Sequence, residues 1–87
     1  MAQRLSTTDA TYTSPAFTPT GDSIFQFSSG NAQATVDIET KLNAAAPWAV
    51  IDTMHATSRQ IVRVAQLPTV RFTLRDGKGD SYVWDAE

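Results

Sequence analysis

The sequence predicts an all-β fold, a small antiparallel β-sandwich or barrel of about six strands behind an extended N-terminal arm. Three observations carry that expectation. Several short runs alternate apolar and polar residues with a period of two. Turn-forming residues separate those runs at intervals of about 10 residues. No stretch shows the 3.6-residue apolar period of an amphipathic helix.

The strands follow in order from Gly21. Ser23 to Ser28 places Phe25 and Phe27 on one face. Asn31 to Leu42 has the clearest alternation, with Ala34, Val36, Ile38, Thr40 and Leu42 on one side and Thr35, Asp37, Glu39 and Lys41 on the other. Ser29-Gly30 between them reads as a tight hairpin turn. Asn43-Ala44-Ala45-Ala46-Pro47 reads as a connection. Trp48 to Met54 is mostly apolar and suits a strand covered on both faces. After a loop at His55 to Ser58, Gln60 to Ala65 sets Arg63 opposite Val62 and Val64. Leu67-Pro68 marks a bend. Val70, Phe72 and Leu74 then alternate with Thr69, Arg71, Thr73 and Arg75. Asp76-Gly77-Lys78-Gly79-Asp80 carries an Asp-Gly hairpin signal. Ser81 to Asp85 is the final strand, with Tyr82 and Trp84 on one face and Val83 on the other. The expected core is Phe25, Phe27, Val36, Ile38, Leu42, Val50, Val62, Val64, Val70, Phe72, Leu74 and Trp84.

Two segments are expected: an extended or flexible arm over residues 1–20 and a β-sandwich domain over residues 21–87. The arm is rich in Ser and Thr, with Pro15 and Pro19 as breakers. Its few large apolar groups bury too little surface to offset their own ordering entropy. It reads either as a frayed terminus or as an arm whose Tyr12 and Phe17 anchor it on a neighbouring protein.

The chain has 87 residues, which bounds it to one thin-cored domain. It has no Cys and one His, so neither a disulfide nor a His or Cys zinc set is expected. The remaining way to reinforce so small a core is oligomerisation or docking on a larger partner. The first residues lack the apolar segment of a secretory signal. No apolar run approaches the ~20 residues that cross a bilayer, so no membrane partner is expected. With 7 Lys+Arg against 9 Asp+Glu and a net charge of -2, nucleic acid is not an expected partner either.

The residues point away from catalysis. Asp37 and Glu39 share a strand face, where they can form a carboxylate pair or a solvated face paired with basic residues. His55 has no companion His, Cys or acidic cluster in its loop. No Gly-x-Ser-x-Gly elbow surrounds any serine. Gly77-Lys78-Gly79-Asp80 joins two strands, whereas a phosphate loop joins a strand to a helix. Asp76 and Asp80 flank that turn and could serve a weak calcium ion, but a calcium site takes ~6 to 8 oxygen ligands. No catalytic residue, cofactor or small-molecule substrate is therefore expected.

Arg63, Arg71 and Arg75 occupy outward strand positions and would form a basic stripe if their strands were neighbours. They read either as partners of Asp37, Glu39 or Asp52 or as a face that docks on an acidic protein surface. Trp48 and Trp84 read as core or rim residues rather than as ligand platforms.

The segment from Gly21 to Asp85 resembles small β-sandwich structural proteins of tailed bacteriophages. The residues that carry the resemblance are the alternating "ATVDIETKL", the Trp-led "PWAVIDTM" and the run "TSRQIVRVAQLPTVRFTLRDG". The resemblance implies a non-enzymatic virion protein, a capsid decoration or cement protein that binds the major capsid protein or other virion proteins. It implies a homo-oligomer, with a trimer favoured, on the capsid exterior after a soluble stage in the host cytoplasm. Tyr12, Phe17, Arg63, Arg71 and Arg75 are then the expected protein-interface residues. The alternatives are a small head-tail or tail component, a carbohydrate-binding or adhesive module, and a small regulatory or inhibitor protein of a mobile element.

Overall fold

Residues 2–86 are described by a computed structural model; Met1 and Glu87, the outer ends of the two expected segments, lie outside the described residues. The described residues form eight β-strands: β1 (Ala2–Thr7), β2 (Tyr12–Thr13), β3 (Ser23–Ser29), β4 (Thr35–Thr40), β5 (Ala49–His55), β6 (Ile61–Val64), β7 (Arg71–Arg75) and β8 (Ser81–Asp85). They build two four-stranded antiparallel sheets, sheet I in the order β1-β8-β3-β6 and sheet II in the order β2-β7-β4-β5. This is the β-sandwich the alternation predicts: each sheet buries one face against the other and leaves the second face to solvent.

The core lies between the sheets. Sheet I contributes Leu5, Phe25, Phe27, Val62 and Val83, and sheet II contributes Val36, Ile38, Met54, Phe72 and Leu74. Phe25 and Phe72 meet across the interior edge to face, with ring centroids 4.9 Å apart, a favoured aromatic geometry. Four residues of the expected core fall elsewhere. Leu42 and Val50 are exposed, Trp84 stands on the outer surface, and Val64 is half-buried against the core's margin. In β8 the inward residues are Ser81, Val83 and Asp85. Two of those three are polar, so hydrophobicity alone points the strand the wrong way round.

Residues 2–20, expected as an arm, are part of the sandwich. β1 pairs with β8 from Ala2↔Asp85 to Thr7↔Ser81 and buries Leu5. β2 pairs with β7, and the Phe17↔Val70 bridge continues that edge. Ser14 ties it further: its N–H donates to the Phe72 carbonyl at 2.8 Å, and its hydroxyl accepts the Phe72 N–H at 2.9 Å. The segment needs few apolar residues because its order comes from completing ladders on existing sheets.

The turns also differ from expectation. Ser29-Gly30 does not close a hairpin, since β3 belongs to sheet I and β4 to sheet II. The Asp76–Asp80 turn likewise carries the chain from β7 in sheet II to β8 in sheet I. The two crossings lie side by side, with the Gly30 N–H donating to the Asp80 carbonyl at 2.9 Å. Asp76 and Lys78 take positive φ there, 56° and 30°, a conformation most side chains avoid. Strand β5, expected to be covered on both faces, is instead the outer edge of sheet II, with Val50 and Ile51 exposed.

Gly77 sits where the β7–β8 crossing packs on the β1–β2 connection, its N–H donating to the Ala10 carbonyl at 2.8 Å. A Cβ added here would fall 2.6 Å from the Asp9 carbonyl oxygen and 2.7 Å from Leu74 Cδ2. Gly77→Ala is expected to destabilise the fold by about 1–3 kcal/mol, the usual cost of overpacking, read as a lower urea midpoint. An unchanged midpoint would show that the two crossings slide apart freely.

Candidate functional site

The two outer faces differ in chemistry. On sheet II the outward charged groups of β4 and β7 are paired, while Val50 on the β5 edge is exposed. Arg75 Nη2 lies 2.8 Å from Asp37 Oδ1, and the Thr53 hydroxyl donates to the same oxygen at 2.9 Å. Arg71 Nε meets Glu39 Oε1 at 2.5 Å. The Arg71 guanidinium also stacks 4.3 Å from the Trp48 ring centre, which carries Lys41 Nζ at 4.9 Å. This cover explains why Asp37 and Glu39 are buried although they point away from the core.

Sheet I presents a face with little charge. One row of side chains runs across all four strands as Gln3, Trp84, Gln26 and Ile61. Beside it lies a second row of Ser6, Tyr82 and Ser28. The Tyr82 and Trp84 rings stand 6.0 Å apart with a tilt of 34°. Ile24 and Arg63 pair on the other side of the first row. Ile24, Ile61 and Trp84 are respectively 45%, 61% and 36% exposed, an amount of open apolar surface on one sheet face that marks a contact surface. Between Trp84 and Ile61 the face dips into a groove of about 350 Å³, with Ile24, Gln26, Ser28 and Ala86 on its walls and Asp85 at its floor.

Asp85 itself is fully buried. A β-bulge in β1 between Gln3 and Leu5 inserts Arg4 as an extra residue, and a bulge re-aims the side chain it adds. Arg4 Nε lies 3.2 Å from Asp85 Oδ2, and its guanidinium covers the Phe17 ring at 3.8 Å. A buried carboxylate needs such a partner, so this pair is part of the scaffold under the groove.

The expected interface residues are not brought together. Tyr12 and Phe17 pack on the protein's own core, with Phe17 6.3 Å from Phe25 and 6.1 Å from Phe72 between ring centres. They anchor the terminal segment within this chain. Arg63 lies on sheet I, near Asp22 at 3.9 Å, while Arg71 and Arg75 lie on sheet II. The three therefore form no stripe, because β6 and β7 occupy different layers. The intrachain pairing considered for Arg71 and Arg75 is what the structure contains. Of the groove residues, Trp84 is expected in the core or at its rim and stands on the outer face instead, and Ile24 and Ile61 are not among the expected interface residues. The available signal was that β3 and β6 carry large apolar residues on both faces.

Elsewhere, Asn31 Nδ2 donates to the Asp76 carbonyl at 2.7 Å beside the sheet crossings. Among the described residues, no three His, Cys, Asp or Glu converge as a metal set. Asp52 joins Arg59 at 2.9 Å on the β5 edge. That guanidinium holds the Asp52 carboxyl below its ordinary value of 3.8; desolvation opposes it and the Thr53 N–H adds to it. A lowered folded pKa means stability that is present above the ordinary value and lost as pH falls through the lowered one. Both side chains are well solvated, so Arg59→Gln is expected to cost under about 1 kcal/mol at neutral pH. It should also return the Asp52 titration towards the ordinary range, as carboxyl NMR would show. No protein-family model, curated protein or solved structure matches the chain.

Proposed function

We propose that this chain is a non-enzymatic structural protein of a bacteriophage virion, a capsid decoration or cement protein that binds and stabilises the major capsid lattice as a homo-oligomer. The observation that carries the reading is the asymmetry of the two outer faces. On sheet II the ion pairs of β4 and β7 cover the middle of the face and leave Val50 and Ile51 open only on the β5 edge, whereas sheet I offers Ile24, Ile61 and Trp84 across its inner strands and the β6 edge on a surface with little charge. A side chain on a sheet is held by the strands beneath it, and preorganised apolar groups of this kind bind protein surfaces with little ordering cost. The resemblance of residues 21–85 to phage β-sandwich proteins supplies the class of partner. The test is to add the purified protein to capsids that lack it and to sediment the particles. Stoichiometric retention is expected, and a protein that stays wholly in the supernatant would overturn the virion reading.

A second reading, a module that binds neutral glycans, is favoured by one observation. Tyr82 and Trp84 are adjacent on the outer face, with Gln3 and Gln26 on either side of the indole. Quenching or enhancement of tryptophan fluorescence across a panel of neutral oligosaccharides would support this alternative; a flat response across the panel would remove it.

A further inference from the structure

The groove on sheet I has a complementary feature on the same chain. The connection between β4 and β5 carries Leu42, which at 77% is the most exposed of the large apolar side chains described. An exposed leucine on a loose loop would mean little, but this connection is braced. Asn43 Oδ1 accepts the N–H groups of Ala45 and Ala46, each at 3.0 Å, and the Ala46 N–H also donates to the Asn43 carbonyl at 3.1 Å. On its other side Lys41 rests on the Trp48 ring. Leu42 is thus an apolar knob on a preorganised turn, and such a group loses little conformational freedom when it is buried.

The charges agree. From Leu42 to Ile51 the chain carries no charged residue, and Val50 and Ile51 are exposed beside the turn. The receiving face is uncharged along the row Trp84, Gln26 and Ile61, with Arg63 beside it opposite Ile24. The carboxylate at the groove floor, Asp85, is already fully buried and paired with Arg4, so an apolar side chain seated there meets no solvated carboxylate, whose desolvation is the usual penalty. The knob belongs to sheet II and the groove opens on the far side of sheet I. A chain cannot fill its own groove, but a second copy can.

We infer that copies of this chain associate head to tail, Leu42 on the β4–β5 connection of one copy entering the groove between Trp84 and Ile61 of the next. The contact joins two different patches, so it is heterologous, and its repetition closes a ring or extends an array. The inference rests on the preceding reading only in taking the face of sheet I as a contact surface.

The test uses the purified chain without particles. Wild-type protein is expected to show a mass above the monomer by light scattering at on the order of 100 μM. Leu42→Asp and Ile61→Asp change exposed side chains, so each is expected to keep the wild-type circular dichroism and thermal midpoint and to become monomeric. Their mixture is the decisive sample. One variant retains the groove and the other retains the knob, so together they should form a dimer and stop there. Should either aspartate lower the midpoint, Leu42→Ala and Ile61→Ala replace them, with at least a tenfold weakening of self-association expected. A monomeric wild type, an aspartate variant that keeps the wild-type mass, or a mixture that remains monomeric would each overturn the contact. Retention on capsids is a separate measurement, so failure of that assay leaves this result standing, and the reverse holds as well.

Discussion

Deleting residues 2–20 is expected to abolish cooperative folding. The cut removes β1, which flanks β8 along its length, and with it Leu5 at 2% exposure. It removes Phe17, whose ring packs on Phe25 and Phe72, and Ser14, which bonds the Phe72 backbone in both directions. It also takes Arg4 from the buried Asp85. Loss of one buried Leu or Phe side chain costs about 2–5 kcal/mol. Breaking a buried ion pair from one side adds about 3–5 kcal/mol. Their sum reaches the whole stability of a typical domain, about 5–15 kcal/mol. Urea titration followed by circular dichroism should show no sigmoidal transition. A β-type spectrum with a wild-type midpoint would mean that these strands merely decorate an independent sandwich.

Phe72→Ala is expected to cost about 3–5 kcal/mol, the range for truncating a buried phenylalanine. Phe72 is fully buried on β7, a strand interior to sheet II, and is the ring around which Phe17 and Phe25 are arranged. Truncation leaves a cavity between the sheets, so the loss is of packing as well as of transfer energy. Leu42→Ala is the matching control. It removes an equally apolar side chain from an exposed site and should stay within about 0.5 kcal/mol. Equal effects from the two substitutions would mean that the sheet faces are misassigned.

The period of two made the strands legible, and it assigned faces well wherever one face was uniformly apolar. Phe25 and Phe27, Val36 and Ile38, and Phe72 and Leu74 are inward as expected. The rule fails where both faces compete. In β8 the large aromatics Tyr82 and Trp84 lie outside, while Ser81 and Asp85 face in beside Val83. There the decisive partners, Ser29 for Ser81 and Arg4 for Asp85, are far away in sequence. Alternation also says nothing about which strands pair. Ser29-Gly30 and Asp76-Gly77 have hairpin composition, yet both carry the chain between sheets, and the positive φ values fall not on Gly30 or Gly77 but on Asp76, Lys78 and Gly79. Arg63 and Arg71 looked like neighbours on that account and are not. The terminal strands were illegible for a different reason. Their order depends on backbone ladders contributed by β7 and β8, and a Ser/Thr-rich stretch shows no sign of a ladder it has yet to meet.

The sheet order has a consequence for the time course of folding. Among the described strands, β4 and β5 are the one consecutive pair that hydrogen-bond to each other. Every other ladder joins strands separated by at least one crossing, and the first described strand pairs with the last. Chains dominated by such distant pairings fold slowly, in milliseconds to seconds, because loop closure must come before the contacts that reward it. On the ribosome the delay is longer still. At about 5–20 residues per second, β1 waits on the order of several seconds for β8 to be made, and until then sheet I, the layer that closes the core over sheet II, cannot be completed. Over that interval the β4–β5 hairpin is the natural nucleus, and Phe25, Phe27 and Phe72 stay exposed to any holdase in the cell. A pulse-labelled nascent chain should therefore remain sensitive to protease until β8 has left the ribosome, and then become protected in a single step.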